Sequence, residues 1–160
     1  MTVRMSRWGV GPWYMVFAST CVAAAEALRR RRPDLFTLDF MPRWVLIAAG
    51  ILLVASGLAL WISGVVTVQR AYNSDRLCTT GACGVCRHPI YASWAVLVAP
   101  GSGLLLNCWA FILAAACMCV FLSAVVHKEE VYLEGRFGEV YRIYKRRVPA
   151  ILPLGWFKRG

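Results

Sequence analysis

Two short segments concentrate the residues whose side chains could do chemistry. One is the loop that ends Gly81-Ala82-Cys83-Gly84-Val85-Cys86-Arg87-His88-Pro89-Ile90-Tyr91, and the other is the tail that begins His127-Lys128-Glu129-Glu130. In the loop, Gly81 and Gly84 permit backbone conformations that other residues resist. Pro89 suits the first turn of a following helix, where its missing N–H costs nothing. Arg87 and His88 would then stand beside that helix's free N–H groups, a place that favours an anionic group. In the tail, adjacent Glu129 and Glu130 point about 100° apart on a helix, so one can face the loop while the other faces solvent. Plainer readings exist for both: interfacial Arg, His and Tyr of a membrane belt, and a solvated acidic pair balancing nearby Lys and Arg. Cys83-x-x-Cys86 offers a third chemistry, an acidic thiol or a soft-metal site. A metal there would want further ligands, and the chain has only His88 and His127 to add as imidazoles.

The elements that must position these segments are almost entirely apolar. Hydrophobic residues make up 59% of the 160 residues and charged residues 16%, against roughly 45–50% and 25% in soluble domains. With a mean hydropathy of +0.58, the composition points to an integral membrane protein. It excludes a disordered tail, a secreted disulfide framework and an ordinary water-soluble enzyme. Of side chains charged at neutral pH, residues 8–28 carry only Glu26, and residues 44–68 and 90–126 carry none. As one helix the last stretch would be about 55 Å long at 1.5 Å per residue, far beyond a hydrocarbon core of about 30 Å. It therefore reads as a hairpin, 90–106 and 108–126, turning at Asn107. The expected fold is all-α and polytopic, with about four transmembrane helices. Leu133, Phe137, Val140, Tyr141 and Tyr144 recur at helical spacing, which predicts a C-terminal cytoplasmic amphipathic helix with a bend at Gly135 or Gly138.

The formal net charge of +10 would suggest nucleic acid as partner in a soluble domain. Here Lys and Arg instead mark the cytoplasmic side and the anionic lipid surface, and no nucleic-acid partner is expected. Four crossings place both termini together. Arg4, Arg7, Arg70, Arg76, Arg87, Lys128, Arg136, Arg142, Lys145, Arg146, Arg147, Lys158 and Arg159 then share one side, outnumbering Arg29–Arg32 and Arg43 on the other. Both termini are accordingly expected in the cytoplasm. The four-arginine run resists this unless Asp34 and Asp39 soften it, or unless the first span is not a full crossing. The first apolar stretch lacks a small-residue cleavage site and looks retained. Cys21, Cys108, Cys117 and Cys119 fall in expected spans as small hydrophobes, and Cys78, Cys83 and Cys86 fall on the reducing side, where no disulfide framework is expected. The chain divides into an N-terminal transmembrane pair, 1–68, and a module, 69–160, whose hairpin returns the tail to the face that carries the loop.

Together the two segments resemble a known signature. Arg87-His88-Pro89-Ile90-Tyr91, preceded by Gly81, is similar to the Arg-His-Pro-x-Tyr motif of the membrane methyltransferases related to isoprenylcysteine carboxyl methyltransferase and the phospholipid N-methyltransferases. The second half of that signature, a hydrophobic hairpin followed by Glu-Glu, has its counterpart in Glu129-Glu130. Phe137-Gly138-Glu139-Val140-Tyr141-Arg142-Ile143-Tyr144, Arg147-Val148-Pro149 and Pro153 continue it. The match covers roughly residues 77–154, and the first two spans carry no such likeness.

The resemblance implies an S-adenosylmethionine-dependent enzyme whose loop and tail wrap the cofactor while a lipophilic acceptor arrives from the membrane lipid. It implies that Gly81, His88, Tyr91, Glu129, Glu130 and Tyr141 surround the cofactor and that Arg87 faces the substrate or the cofactor carboxylate. Two departures bear on the acceptor: Cys83 stands where relatives commonly have Tyr, and Val125-Val126-His127-Lys128 replaces an Arg often found before the Glu pair. A carboxylate acceptor is favoured, because it is ionised at neutral pH and needs no general base, whereas a lipid amine or thiol must first lose a proton. Three other readings stand beside this one. They are a CxxC metal- or thiol-handling protein, a reductase related to the steroid reductases, for which no dinucleotide fingerprint is present, and a purely structural membrane protein, which leaves the Arg, His and Glu cluster unexplained.

Overall fold

The computed structural model describes residues 11–151. Arg4, Arg7, Pro153, Lys158 and Arg159, which enter the expectations above, lie outside the described residues. Within them the regular secondary structure is helical, apart from one isolated bridge between Thr37 and Cys108. Its elements are α1 (Gly11–Arg31), α2 (Pro33–Phe36), α3 (Arg43–Asn73), α4 (Ala82–Val85), α5 (Pro89–Ala92), α6 (Ala99–Leu105), α7 (Ala110–Phe137) and α8 (Glu139–Arg147), with a π-helical segment, Ser93–Val98, joining α5 to α6. Two helices, α3 and α7, are long and apolar enough to cross a membrane, and the continuous apolar stretch Pro89–Leu105 is shorter. The clear spans are therefore two of the four expected, because α1 ends in three arginines and the hairpin's first limb is short.

Packing joins these rods in antiparallel pairs. Tyr14 of α1 lies beside Tyr91, Ala18 clusters with Met118 and Leu122, and Ala25 clusters with Phe111 and Ala114, so α1 runs against α7. Gly50, Gly57 and Gly64 are buried at seven-residue intervals on one stripe of α3. A Cβ at Gly50 would meet Leu105 Cγ at 2.8 Å, one at Gly57 Val98 Cγ2 at 2.7 Å, and one at Gly64 Ile90 Cγ1 at 3.2 Å. Hydrogen in place of a side chain lets α3 lie directly on Pro89–Leu105, a contact driven by close packing rather than by burial from water.

The hairpin turns at Asn107, which takes a positive φ of 54°, a conformation Asn tolerates better than most residues. Cys108 N donates to Gly103 O at 2.8 Å across the turn. Residues after α1 brace this end: Trp109 donates through N to Phe36 O and through Nε1 to Leu35 O. Arg43 caps α6 by donating to Leu104 O and Leu105 O, two carbonyls a helix end leaves unpaired. In the four-arginine run, Glu26 takes Arg29 and Arg30, and Asp34 takes Arg32. Glu26 thus does much of the neutralisation that the sequence reading assigned to Asp34 and Asp39. The π segment precedes Pro100, which lacks an N–H and crowds the carbonyl four residues back. Widening the helix there accommodates both defects.

Two features follow the last apolar turn of α7. The helix continues past Val126 to Phe137 and breaks at Gly138, whose φ is +55°. α8 then buries Tyr141 and Tyr144 and exposes Glu139, Arg142, Arg146 and Arg147. The loop between α3 and α5 departs from expectation. Cys78 and Cys83 form a disulfide, where the sequence reading placed reduced thiols. Their separation of five residues brings them together around a turn at Gly81.

Candidate functional site

The site forms where α5 begins, α7 ends and α8 packs across them. Arg87 is drawn there by its backbone and its side chain together. Its N–H donates to Pro149 O at 2.8 Å, and His88 N–H donates to Ala150 O at 3.1 Å, so the chain after α8 lies along the loop. The Arg87 guanidinium, nearly buried, donates Nε to Glu130 Oε1 at 2.9 Å and Nη2 to the same carboxylate. Its Nη1 donates to Lys145 O at 2.9 Å and to Val148 O, the open end of α8. A guanidinium has five N–H groups, and four are engaged with residues described here. Arg87 therefore fastens loop, α7 and α8 to one another instead of standing open toward a ligand.

Glu130, 5% exposed, is the hub. Lys145 Nζ lies 3.0 Å from its Oε2, and His88 Nε2 lies 3.6 Å from its Oε1. Burial by itself would raise the Glu130 pKa, but His88, Arg87 and Lys145 outweigh it and hold the carboxyl down at about 2. Glu129 is the opposite case. Its pKa is raised by burial, with Glu130 adding to the rise and His88 opposing it. One carboxylate is saturated with cations; its neighbour is desolvated without them. Burial also pushes the Tyr141 phenol up, with Glu130 next in effect, so it stays protonated.

Three of the residues gathered here have buried polar atoms without a hydrogen-bond partner: His88 Nε2, Glu129 Oε2 and Tyr141 Oη. They come from the loop, α7 and α8. Native structures leave few buried polar atoms unpaired, and each such atom costs about 1–3 kcal/mol. Tyr91 adds an aromatic wall, its ring 6.2 Å from that of His88 and nearly parallel to it, and Tyr14 Oη donates to Tyr91 O at 3.1 Å. Gly81 sits apart from this cluster, turning the loop against α3 with a φ of +60°, where a Cβ would meet Thr67 Cγ2 at 2.8 Å. Of the residues singled out from sequence, Arg87, His88, Tyr91, Glu129, Glu130 and Tyr141 are thus brought together, and Gly81 shapes the loop that carries two of them. Sequence reasoning missed Lys145, Tyr144 and Tyr14. Lys145 could have been found, since it falls one helical turn after Tyr141; nothing near Tyr14 marks it.

Comparison with known proteins bears on what this cluster is for. The chain is 31% identical over 115 residues to the protein-S-isoprenylcysteine O-methyltransferase of Mus musculus, covering 66% of this chain and 41% of that protein. The chain is similar to isoprenylcysteine O-methyltransferases. The enzyme of that name from Rattus norvegicus is 32% identical over 115 residues, covering 66% of this chain and 40% of its own length. That of Schizosaccharomyces pombe is 32% identical over 83 residues, covering 51% and 35%. The chain spans about two fifths of the length of the curated isoprenylcysteine O-methyltransferases it matches. No protein-family model matches it, and no solved structure does.

Proposed function

We propose that this chain is an integral membrane methyltransferase that uses S-adenosylmethionine and acts on a lipophilic acceptor, favoured as the carboxylate of an isoprenylcysteine-like thioether. The observation that carries the reading is the convergence of His88 Nε2, Glu129 Oε2 and Tyr141 Oη, three buried and unpartnered polar atoms, around the Arg87–Glu130 pair. That donor and acceptor set suits a ligand that presents an ammonium, hydroxyls and a carboxylate. The Glu129 carboxylate would hold the ammonium or a ribose hydroxyl, and Tyr141 and His88 would complete its hydrogen bonds. The Tyr91 ring offers a face for a cationic sulfonium. When bound, S-adenosylmethionine supplies a methyl group on sulfur that a nucleophile displaces directly. The protein's own task is alignment of the partners at about 3–3.5 Å with water excluded. Arg87, engaged with Glu130 and the end of α8, orients the site through those contacts.

The lipophilic acceptor is supported by a cavity of about 470 Å³ between α1, the π segment, α6 and α7. It begins at Trp94, one helical turn beyond Tyr91, and is walled by Met15, Val22, Val98, Phe111 and Met118. An apolar chain there would leave its polar end toward the cluster. The surplus of Lys and Arg on the loop and tail supports a cytoplasmic placement of that cluster and of both termini, with 69–160 as the methyltransferase module and 1–68 as its transmembrane support.

Incubating the purified protein with methyl-labelled cofactor and a membrane extract tests the reading. Label recovered as an alkali-labile methyl ester in the lipid fraction is the expected result. Its rate of formation should not rise through deprotonation of the acceptor between about pH 6 and 9, since a carboxylate is ionised throughout. A steep rise that tracks an amine or thiol would overturn the carboxylate and leave the methyltransferase standing, and no transfer to any lipid would overturn both.

A further inference from the structure

The disulfide in the cofactor-side loop is used by nothing described above. Cys78 is half-buried and Cys83 is 1% exposed. The peptide carbonyl of Cys83 accepts the Tyr144 hydroxyl at 2.6 Å, a fully buried hydrogen bond between the loop and α8. Tyr144 packs edge-on to Tyr141, centroids 6.1 Å apart. The S–S bond therefore closes the turn at Gly81 at the point where that turn holds α8. The loop also carries Arg76 and Arg87 and leads from a helix ending near Arg70, the charge pattern of a cytoplasmic loop. A disulfide on that side of a membrane is seldom a permanent staple; in reducing compartments such bonds are usually transient and redox-sensing.

We infer that Cys78–Cys83 is a reversible redox site, opened by a dithiol reductant, that latches the turn at Gly81 onto α8 through the Tyr144–Cys83 hydrogen bond when oxidised and releases that turn, with the Arg87 contacts still in place, when reduced. Cys78 is the more exposed of the two residues, so its Sγ is taken as the point of attack. A thiolate of the reductant attacks it, the Cys78–Cys83 bond breaks, and Cys83 Sγ leaves as a thiolate that takes up a proton. The second thiol of the reductant then displaces Cys78 Sγ from the mixed disulfide. The protein gains two thiols and two electrons, and the reductant becomes a disulfide. With the ring open, the Cys83 carbonyl is held only by its local turn, and the Tyr144 hydrogen bond loses its fixed acceptor. The latch is independent of the methyl-transfer reading, because the state of α8 is measured without a cofactor.

The test uses the full chain in detergent, poised with reduced or oxidised dithiothreitol. Alkylation and peptide mass report the thiols, and amide hydrogen exchange reports residues 139–148. The expected result is that Cys78 and Cys83 are alkylated only after reduction, and that exchange in 139–148 then rises on the order of tenfold, the scale of one buried hydrogen bond. Tyr144→Phe should keep the disulfide and give the faster exchange in both states. Cys78 and Cys83 that stay thiols in oxidised dithiothreitol would overturn the inference. So would equal exchange in the two states, or a redox difference that survives Tyr144→Phe.

Discussion

Arg87 Nε meets Glu130 Oε1 at 2.9 Å, joining residues 43 apart in sequence, from the loop before α5 and the far end of α7. The pair is nearly buried, and the same guanidinium closes the end of α8. One side chain therefore sets the relative position of the three segments that form the candidate site.

Arg87→Ala should be severely destabilising, because it leaves Glu130 Oε1 without its guanidinium partner and strands the Lys145 and Val148 carbonyls together. A loss of about 3–5 kcal/mol is the usual scale for breaking one half of a buried pair. Arg87→Lys should recover only part of it, since a point charge cannot reach Glu130 and the α8 carbonyls at once. Thermal unfolding in detergent of both variants checks this, and a lysine variant as stable as the native chain would show that the fork geometry is immaterial.

Acid should dismantle the same junction. The Glu130 carboxyl is held at about 2 in the folded protein, below an ordinary glutamate value near 4.3. A depressed carboxyl contributes stability that is fully present above the unfolded value and is lost as pH falls through the folded one. Melting temperature followed from about pH 5 down to about pH 2 should fall, and Glu130→Gln should flatten that part of the profile while lowering its neutral plateau.

Glu129 should behave in the opposite sense. Its carboxyl is raised by burial and its Oε2 has no partner, so the ionised form opposes folding at neutral pH. Glu129→Gln is expected to raise the melting temperature of the ligand-free protein while weakening ligand binding. A variant that loses stability would mean Glu129 is a structural residue and not a ligand group.

Much of this arrangement could be read from residues alone, and the reasons differ by element. The turn at Asn107 was legible because 90–126 is too long for a bilayer and holds one strongly polar amide side chain, Asn107, near its middle. A break at Gly135 or Gly138 was legible from glycines inside a helical repeat, and the positive φ of Gly138 is what distinguishes the two. The meeting of Arg87, His88 and Glu130 followed from the hairpin returning the chain to its starting face. What Arg87 does there was not legible, since its partners Lys145 O and Val148 O are backbone atoms with no sequence signature. The disulfide ran against an expectation based on compartment, which spacing cannot overrule. The two other crossings expected, at α1 and Pro89–Leu105, lack the length or the apolarity that α3 and α7 have.

The glycine stripe on α3 gives a separate test of the scaffold. A Cβ on Gly57 would stand 2.7 Å from Val98 Cγ2 and 2.9 Å from Leu97 Cβ, so Gly57→Leu should force α3 off the π segment, at a cost of about 1–3 kcal/mol or more. Ala59→Leu, on the exposed face of the same helix, should be nearly neutral. Equal melting temperatures for the two variants would place the α3 contact elsewhere.

Calorimetric titration of the purified, folded chain with S-adenosylmethionine, and with its demethylated product, addresses the proposed site most directly. Saturable binding is expected, weakened roughly 2- to 150-fold by Tyr141→Phe and by Glu129→Gln, the range for losing one neutral or one charged hydrogen bond. A chain shown to be folded that binds neither ligand at millimolar concentration would contradict the reading of His88, Glu129 and Tyr141 as a cofactor site.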